Sequence, residues 1–440
     1  MTTISPLERV FARLVEEDEH HGYSDLPGEV REEVPGNAGR QVLAHSLQKV
    51  GDLIVDPKTV LSWLMAAVGA PPGLVGLLVP IRESGSMLPQ AALVPLVRRT
   101  EVRKWLWVSG GVVQALAVVA MALATASLSG VAAGLAILAA LAVLAVARSL
   151  SSIASKDVLG RTVPKGARGR VNGWATVGGG VAAITVGLGM RSFGGQQTPP
   201  STFAWLLLAG AAAWLLAVVV YARVVEAPEV DHRVRSRAAG GVFALLRDDA
   251  VFRRFVTARA LLLVSALSPP FVVVLATRTG SETGLEGLGP FVLSSGIAAL
   301  VGGQLWGRMA DRSSRRVMMI ACGSASTVVV AFLALQQVET VAELEWLYAA
   351  TYLLLALTHH GSRIGRKTYV VDIAAGDRRT EYVAVSNTAM GVLLLIAGAI
   401  SAAVATVGIE AALALLALLG YLGVLAGRSL PESAAPDHER

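Results

Sequence analysis

The sequence predicts an all-α polytopic membrane protein with twelve transmembrane helices in two six-helix pseudo-repeats. Of its 440 residues, 54% are hydrophobic and only 16% are charged, whereas soluble domains contain about 25% charged residues. Apolar segments of roughly 20 residues, the length that crosses a bilayer, recur from residue 58 to residue 427. The basic residues cluster in alternate connections between these segments, which is typical of membrane topology and argues against a nucleic-acid-binding surface.

Residues 1–57 form a polar leader ahead of the first predicted span. Leu7, Val10, Phe11 and Leu14 recur at helical spacing, which predicts an amphipathic helix. We expect this helix to pack on the cytosolic face or to lie at the lipid surface. Because the N-terminus has no basic stretch followed by an apolar core, no cleaved signal peptide is expected.

Twelve apolar segments follow the leader, and tight turns separate them. The second segment is short and contains Pro89 and Pro95, but the alternation of basic loops requires it. The predicted spans are 59–82, 85–99, 105–126, 130–155, 170–190, 202–222, 256–277, 288–306, 317–335, 344–365, 382–406 and 409–427.

Positive charge fixes the predicted orientation. Basic clusters follow the second, fourth, eighth and tenth spans, and basic loops stay on the cytoplasmic side. Both termini are therefore expected in the cytoplasm, with the protein in the plasma membrane, or in the inner membrane of a Gram-negative source. The predicted parts are the leader, a bundle at 58–224, a cytoplasmic linker at 225–255 with a short surface helix over 241–248, a bundle at 256–430 and a tail at 431–440.

An internal repeat supports the division into two bundles. At an offset of 212 residues, Arg103, Lys104 and Gly111 match Arg315, Arg316 and Gly323. At an offset of 211, Ser151, Ile153, Lys156 and Arg168 match Ser362, Ile364, Lys367 and Arg379. Two stretches that share nearly one offset indicate a duplicated unit.

The connection between spans eight and nine has the most specific sequence. The ten residues from Gly307 to Arg316, GRMADRSSRR, follow the pattern G-x-x-x-D-R-x-x-R-R. This pattern resembles the signature loop of the major facilitator superfamily, and residues 164–173 and 372–379 are similar to two further loops of that family. The resemblance covers residues 58–430 and implies two parallel six-helix bundles that carry a small molecule between them. These loops belong to the shared scaffold and name no substrate.

The resemblance also implies a gate on the cytoplasmic side. Asp311 stands where span eight meets the cytosol, and a carboxylate there can pair with an arginine and with a helix N-terminus. At the repeat offset Asp311 corresponds to Arg99, so the gate is expected to be asymmetric. The alternative is a static loop that only sets topology. The predicted gate residues are Gly307, Asp311, Arg312, Arg315, Arg316 and Arg379.

Ionisable residues at membrane depth indicate a substrate site. Arg148 lies near the middle of span four when a helix rises about 1.5 Å per residue. The repeat places His359 at the equivalent position in span ten, with His360 and Arg363 close by. Such residues need a cavity or a partner. Because the resemblance places spans one, four, seven and ten around a central cavity, these side chains would form a cationic lining suited to an anionic substrate. Bracing or hydrogen bonding within the bundle is the alternative.

Arg82 and Glu83 are predicted towards the outer end of the first span. A carboxylate in a low-dielectric site binds a proton more readily than it does in water, so Glu83 is a candidate site for a coupled proton. His359 and His360 are the other candidates, because histidine titrates near neutral pH. A water-exposed ion pair is the alternative interpretation.

The predicted function is secondary active transport of a small organic substrate, anionic or amphipathic, by alternating access with a coupled proton. The sequence has neither a phosphate loop G-x-x-x-x-G-K-[ST] nor an HExxH motif, so no ATP hydrolysis, enzyme activity, cofactor or metal is expected. The aliphatic spans favour export over uptake, and we expect a monomer in the bilayer. The alternative is a non-transporting membrane sensor or assembly platform that binds a partner through the leader.

Overall fold

The computed structural model describes residues 26–164, 167–195, 198–228, 247–279, 284–310, 312–373 and 379–431. Within these ranges the chain is helical and contains no β-strand. Nine of the helical stretches described are long and apolar enough to cross a membrane. The predicted all-α polytopic membrane protein is thereby confirmed, whereas the count of twelve spans stays a prediction.

The described residues of the first half form ten helices, of which the last four are long and uninterrupted. The helices from α3 to α6 are shorter, and only a few residues separate each from the next. Prolines in this part of the chain interrupt the helical hydrogen bonding. The bounds are α1 (Gly28–Glu32), α2 (Val34–Ile54), α3 (Val60–Ala67), α4 (Pro72–Gly76), α5 (Leu78–Met87), α6 (Gln90–Arg99), α7 (Lys104–Ser127), α8 (Gly130–Thr162), α9 (Arg168–Phe193) and α10 (Pro200–Ala222).

The second half contains nine helices in the described residues. Its first apolar stretch is divided at Leu262–Leu263 and Ser268, and its remaining spans are continuous. The bounds are α11 (Ala250–Leu261), α12 (Val264–Leu267), α13 (Pro269–Thr279), α14 (Leu285–Ala310), α15 (Ser314–Leu335), α16 (Glu339–Ala342), α17 (Glu345–Asp372), α18 (Arg379–Ala405) and α19 (Ile409–Gly427).

The first bundle begins earlier than predicted. α2 falls within the segment assigned to the leader, yet it packs against α9 and α10, and Val34, Ala38 and Ala44 are buried. α2 and α3 together form the first segment of the bundle, and α4, α5 and α6 form the second. The predicted boundary at residue 58 and the first two predicted spans are therefore wrong, because hydropathy undervalues a helix that carries many polar residues. The predicted amphipathic helix near residues 7–15 lies outside the described residues.

A capped break separates α2 from α3. Pro57 has no backbone N–H to continue the helix. The Asp56 carboxylate accepts hydrogen bonds from the backbone N–H groups of Lys58 and Thr59, at 2.8 and 3.1 Å, and from the Thr59 hydroxyl at 3.1 Å. Ser62 donates to the Pro57 carbonyl at 2.7 Å. These bonds satisfy backbone groups that a broken helix exposes, so the break is a defined turn.

The two halves repeat the same helix pairings, in agreement with the predicted duplication. α7 packs on α8 and α10 in the first half, as α15 packs on α17 and α19 in the second. Lys49 Nζ donates to Thr176 Oγ1 at 2.8 Å, and Arg259 Nη1 donates to Ser386 Oγ. Each residue of the second bond lies 210 positions after its counterpart in the first. The repeat therefore extends to individual side-chain contacts between the first and fifth segments of each half.

The linker is tied to the first half at its beginning. Asn37 is buried, and its side-chain amide exchanges two hydrogen bonds with the backbone of Val225, at 2.9 and 2.8 Å. Glu226 accepts from the Lys104 backbone N–H at 2.8 Å, and burial raises the pKa of Glu226 above its usual range. Residues 229–246, which include most of the predicted surface helix, lie outside the described residues. The linker ends before α11, which begins at Ala250 rather than at residue 256.

The two halves contact each other closely at one end of the bundle. The other end, at which α6, α8 and α14 finish, is called the basic end. At the opposite end the backbones of α9 and α14 meet, since a methyl group added to Gly187 would lie 2.6 Å from the Leu293 backbone nitrogen. Glu286 donates its backbone N–H to Gly195 at 3.3 Å, and Leu285 donates to Thr198 Oγ1 at 3.0 Å. This end is closed by contacts that only glycine permits.

The same two helices separate towards the basic end. About four turns further along each helix, a methyl group added to Gly173 or to Gly307 would meet nothing within 4 Å. The space between the halves therefore opens at the basic end, which the positive loops predict to be cytoplasmic.

The close approach of α9 and α14 gives a first prediction. We expect Gly187→Ala to lower the melting temperature of the purified protein, because overpacking costs about 1–3 kcal/mol. Gly189→Ala is the matched control, since a methyl group at Gly189 meets nothing within 4 Å and alanine favours the helix by about 1 kcal/mol. Equal melting temperatures for the two variants would contradict a closed α9–α14 contact.

Candidate functional site

A cavity of about 380 Å³ lies between the two halves. Its walls come from the first two segments, from α8, and from α12, α13, α14 and α17. All six residues proposed from the sequence for substrate binding or coupling line this cavity: Arg82, Glu83, Arg148, His359, His360 and Arg363.

Two of these residues reach the cavity from an unexpected helix. Arg82 and Glu83 lie in α5, within the second segment, and not at the outer end of the first. They belong to the second segment because the first segment already begins at α2. Arg82 pairs with Asp52 at 3.3 Å, so the predicted Arg82–Glu83 ion pair is replaced by a contact with another helix.

Asp52 joins three helices through its carboxylate. Its Oδ2 lies 2.6 Å from Arg148 Nη2, and its Oδ1 lies 3.3 Å from Arg82 Nη2. One carboxylate thus partly neutralises two guanidinium groups, one from α5 and one from α8. Arg148 still has a buried nitrogen, Nη1, without a hydrogen-bond partner, and a buried donor without a partner favours binding of an acceptor from a ligand.

Lys58 connects the helix break to the second half. Its Nζ lies 2.9 Å from His359 Nε2. A lysine ammonium has donors and no acceptor, so a charged Lys58 makes Nε2 the acceptor and leaves the imidazole proton on Nδ1. Nδ1 lies 3.5 Å from Ser265 Oγ. Lys58 and His359 therefore form a polar bridge across the cavity, with His359 as neutral imidazole.

Glu83 differs from the other two carboxylates in the cavity wall. Asp52 is paired with arginines, and Asp56 caps the helix break. Within the described residues, the Glu83 carboxylate has no hydrogen bond and no cation within 4.0 Å, although Lys58 and Arg366 are near enough to attract it. Glu83 is thus the carboxylate that can gain or lose a proton without breaking an ion pair.

The charge of the wall is slightly positive. Lys58, Arg82, Arg148 and Arg363 face three carboxylates, and His359 and His360 add positive charge only when protonated. The cationic character expected from the sequence is present in this residue set, but it is balanced by acids that the sequence did not assign to the site.

Three of the charged residues in the wall were missed because they precede or adjoin the first predicted span. Asp52, Asp56 and Lys58 lie at the end of α2 and in the break, and neighbouring Lys49 lies one turn earlier. A signal was available in the sequence. Polar residues recur at helical spacing along α2, which indicates a helix with one polar face: Gln41, His45, Gln48 and Asp52.

The predicted gate is only partly described. Asp311 lies outside the described residues, and the side chain of Arg379 is likewise not described, so their pairing stays a prediction. Ser313 accepts from the Arg316 backbone N–H at 3.2 Å and caps α15. Arg315 donates to the Leu430 carbonyl and holds the chain after α19, while Arg312 is exposed. The described members of the loop thus have local roles at the basic end.

Comparison with known proteins agrees with this geometry. The sequence profile of the Major Facilitator Superfamily matches residues 260–440. A D-xylose-proton symporter is similar with a TM-score of 0.70 at 12% identity, over 90% of this chain and 98% of that chain. The family match thus covers the second half of the chain, and the structural similarity extends the same fold over both halves.

Two further solved structures share the fold of this chain. The inward-open xylose transporter XylE from E. coli is similar with a TM-score of 0.66 at 11% identity, over 92% of this chain and 98% of that chain. The nucleoside transporter NupG is similar with a TM-score of 0.63 at 13% identity, over 89% of this chain and 98% of that chain. No curated protein sequence matches this chain. The shared fold and the apolar helices of the described residues make this a multi-pass membrane protein.

The described part of the chain contains no group of three or more His, Cys, Asp or Glu side chains placed to hold a metal.

The shared carboxylate gives a second prediction. Asp52→Asn and Arg148→Gln should destabilise the protein by less in combination than the sum of their separate effects, with a coupling of about 1–2 kcal/mol, because each single change leaves a charge unpaired. Unfolding titrations in detergent measure the four free energies. Asp52→Asn with Arg363→Gln is the control, and these effects should add within about 0.5 kcal/mol. Additive effects in both pairs would contradict the Asp52–Arg148 contact.

Proposed function

We propose that this protein is a proton-coupled secondary transporter that moves an organic anion by alternating access. The observation that carries the proposal is the central cavity, whose wall contains both Arg148 and Glu83; within the described residues, a buried Arg148 nitrogen has no hydrogen-bond partner and the Glu83 carboxylate has no ion pair. We place the protein in the plasma membrane, with both termini and the basic end in the cytoplasm, because the basic connections lie at that end.

An anionic substrate fits the free donors of the wall. Arg148 Nη1 has no partner, and Arg363 forms no ion pair within 4.0 Å in the described residues. Arginine binds carboxylates and phosphates with paired, charge-assisted hydrogen bonds. An organic anion held by Arg148 would compete with Asp52 for the same guanidinium, so binding would weaken the contact between α2 and α8.

A proton on Glu83 would complete the coupling. When Glu83 is ionised, its negative charge attracts Lys58 and the neighbouring arginines away from a substrate anion. Protonation removes that competition and leaves the cations free to bind the substrate. Proton binding and anion binding would therefore favour each other, which is the thermodynamic requirement for coupled movement.

The contacts between the halves favour alternating access. One end is closed by glycine contacts between α9 and α14, and the basic end is open. Rocking of two six-helix bundles about a midplane site is the motion that parallel repeats permit. Two similar solved proteins support this choice: one is a D-xylose-proton symporter, which moves a small solute with a proton, and the other is the xylose transporter XylE in an inward-open conformation.

The Gly307–Arg316 loop is proposed as the gate at the basic end. In the closed-inside state Asp311 would pair with an arginine at the start of α18, and in the open state that pair would be released. The open basic end between α9 and α14 is the observation that supports this role.

Transport in proteoliposomes tests the proposed function. A pH gradient is imposed, and a pH-sensitive dye inside the vesicles reports proton movement while organic carboxylates and phosphate esters are supplied in turn. We expect Glu83→Gln to abolish proton-driven accumulation but to retain exchange of substrate, because the neutral amide resembles a protonated carboxyl group. Arg148→Ala should reduce both activities by more than about tenfold.

Glu343→Gln is the matched control for Glu83→Gln, since Glu343 lines a different cavity near the closed end. It should leave both activities unchanged. Proton-driven accumulation that survives in Glu83→Gln would exclude Glu83 as the coupling site. If no solute produces proton flux and the leader captures a soluble partner, the protein acts as a sensor or assembly platform.

The gate has its own test. Asp311→Asn should lower the initial rate of transport about tenfold, because a charge-assisted pair is lost from one state only. The melting temperature should stay near that of the wild type. Asp248→Asn is the control, because Asp248 is exposed in the linker. Uptake kinetics for Asp311→Asn that equal those of the control would eliminate the gating role.

A further inference from the structure

A second cavity opens beside the central one, entirely within the first half. This side pocket has a volume of about 280 Å³ and lies between α2, α7, α8 and α9. Arg148 and Ser152 line both cavities, so the two spaces meet at these residues. The polar residues of its wall include His45, Lys49, Arg148, Ser152, Lys156 and Thr176.

The side pocket has cations and no carboxylate in its wall. Lys49, Arg148 and Lys156 contribute three positive charges, and no Asp or Glu is among its lining residues. Asp52 contacts Arg148 from the side of the central cavity. Lys156 is exposed and has no ion pair within 4.0 Å in the described residues. About two positive charges are therefore left without compensation in a confined space.

Hydrogen-bonding groups accompany these charges. Arg148, Ser152 and Lys156 are four residues apart along α8, so they form a stripe on one helix face. The Ser152 hydroxyl has no hydrogen bond in the described residues, and Arg148 Nη1 is buried without a partner. On the facing helices, Lys49 Nζ is fixed at 2.8 Å from Thr176 Oγ1, and His45 Nε2 lies 3.3 Å from Ser155 Oγ. The donors are thus held in place before any ligand enters.

We propose that the side pocket is a binding subsite for a phosphate monoester, and that the transported anion carries this group. The inference rests on the proposed transport function and names the class of its substrate. A phosphate monoester has a charge of about −1.5 to −2 at neutral pH and three acceptor oxygens. That charge matches the uncompensated lysines, and the three oxygens match donors from Arg148, Ser152 and Lys156. A carboxylate has one charge and two oxygens and would leave part of the wall unpaired.

The remainder of the substrate would lie in the central cavity. Because Arg148 and Ser152 form the common wall, a phosphate bound beside them directs the rest of the molecule towards Glu83 and His359. The equivalent region of the second half differs. Arg259, the counterpart of Lys49, is only 5% exposed and donates to Ser386. The subsite is therefore a feature of the first half and orients the substrate.

Calorimetric titration of the purified full-length protein in detergent tests the subsite. Phenyl phosphate is the probe, and benzoate is its carboxylate analogue. We expect phenyl phosphate to bind at least about tenfold more tightly than benzoate, and Lys156→Met to weaken phenyl phosphate about tenfold. Lys156 is exposed and forms no ion pair within 4.0 Å in the described residues, so this variant should keep the melting temperature of the wild type. Lys49→Met should also weaken binding.

Lys367→Met is the matched control. Lys367 is the repeat counterpart of Lys156, and it does not line the side pocket. Its loss should change phenyl phosphate affinity less than about threefold, through long-range charge alone. Equal affinities for phenyl phosphate and benzoate, equal losses in the two lysine variants, or no binding of phenyl phosphate would each overturn the subsite.

Two further arms separate the possible outcomes. In nanodiscs of phosphatidylcholine, added phosphatidic acid that competes with phenyl phosphate would identify a lipid as the source of the phosphate group, whereas no competition would indicate a soluble ester. Phenyl phosphate that binds through Lys156 but produces no proton-linked flux would support the subsite and count against transport. Proton-linked flux of a carboxylate without binding of phenyl phosphate would support transport and overturn the subsite.

Discussion

The contact of Asp52 with both Arg82 and Arg148 organises the site. Three helices, α2, α5 and α8, bring one carboxylate and two guanidinium groups together within the bundle. An arginine at that depth is costly without a partner or an aqueous cavity, and a single carboxylate cannot fully satisfy two. Arg82 and Arg148 accordingly line a cavity, and the positive charge of the two guanidinium groups exceeds the negative charge of Asp52. An anion is the ligand that such an arrangement attracts.

The break after Asp52 connects this charge balance to the other half of the protein. Because Pro57 ends α2 and Asp56 caps the turn, Lys58 leaves the helix axis and reaches His359 of α17 at 2.9 Å. A change in the charge of Glu83 acts on Lys58 and on Arg366 of the second half at the same time. A bridge between halves that depends on charge can bias which end of the bundle is open. In this structure α9 and α14 are in contact at one end and separated at the basic end. A shift of the bias would separate them at the first end and bring them together at the basic end.

Much of the fold and part of the site could be predicted from residues alone. Spans of low charge, from α7 to α10 and from α14 to α15, were located because their hydropathy is unambiguous. The repeat connected Arg148 with His359 across 211 positions, and the structure brings both to one cavity. Arg82 and Glu83 line the cavity from α5, whereas the sequence predicts them at the end of the first span. The error came from α2, whose Lys49 and Asp52 made it resemble a soluble segment.

What the sequence determined by itself is a helical membrane protein of two related halves, together with the identity of its ionisable residues. Composition and loop charge suffice for this, because the bilayer accepts only backbones that satisfy their own hydrogen bonds. The tertiary structure decided which of those residues face one another. Asp52 pairs with arginines 30 and 96 positions away because α2 packs against α9 and α10 while its Gln41, His45 and Asp52 side chains meet α8. Average hydropathy cannot distinguish a polar face that lines a cavity from one that faces water, since that difference lies in the neighbouring helices and not in the helix itself.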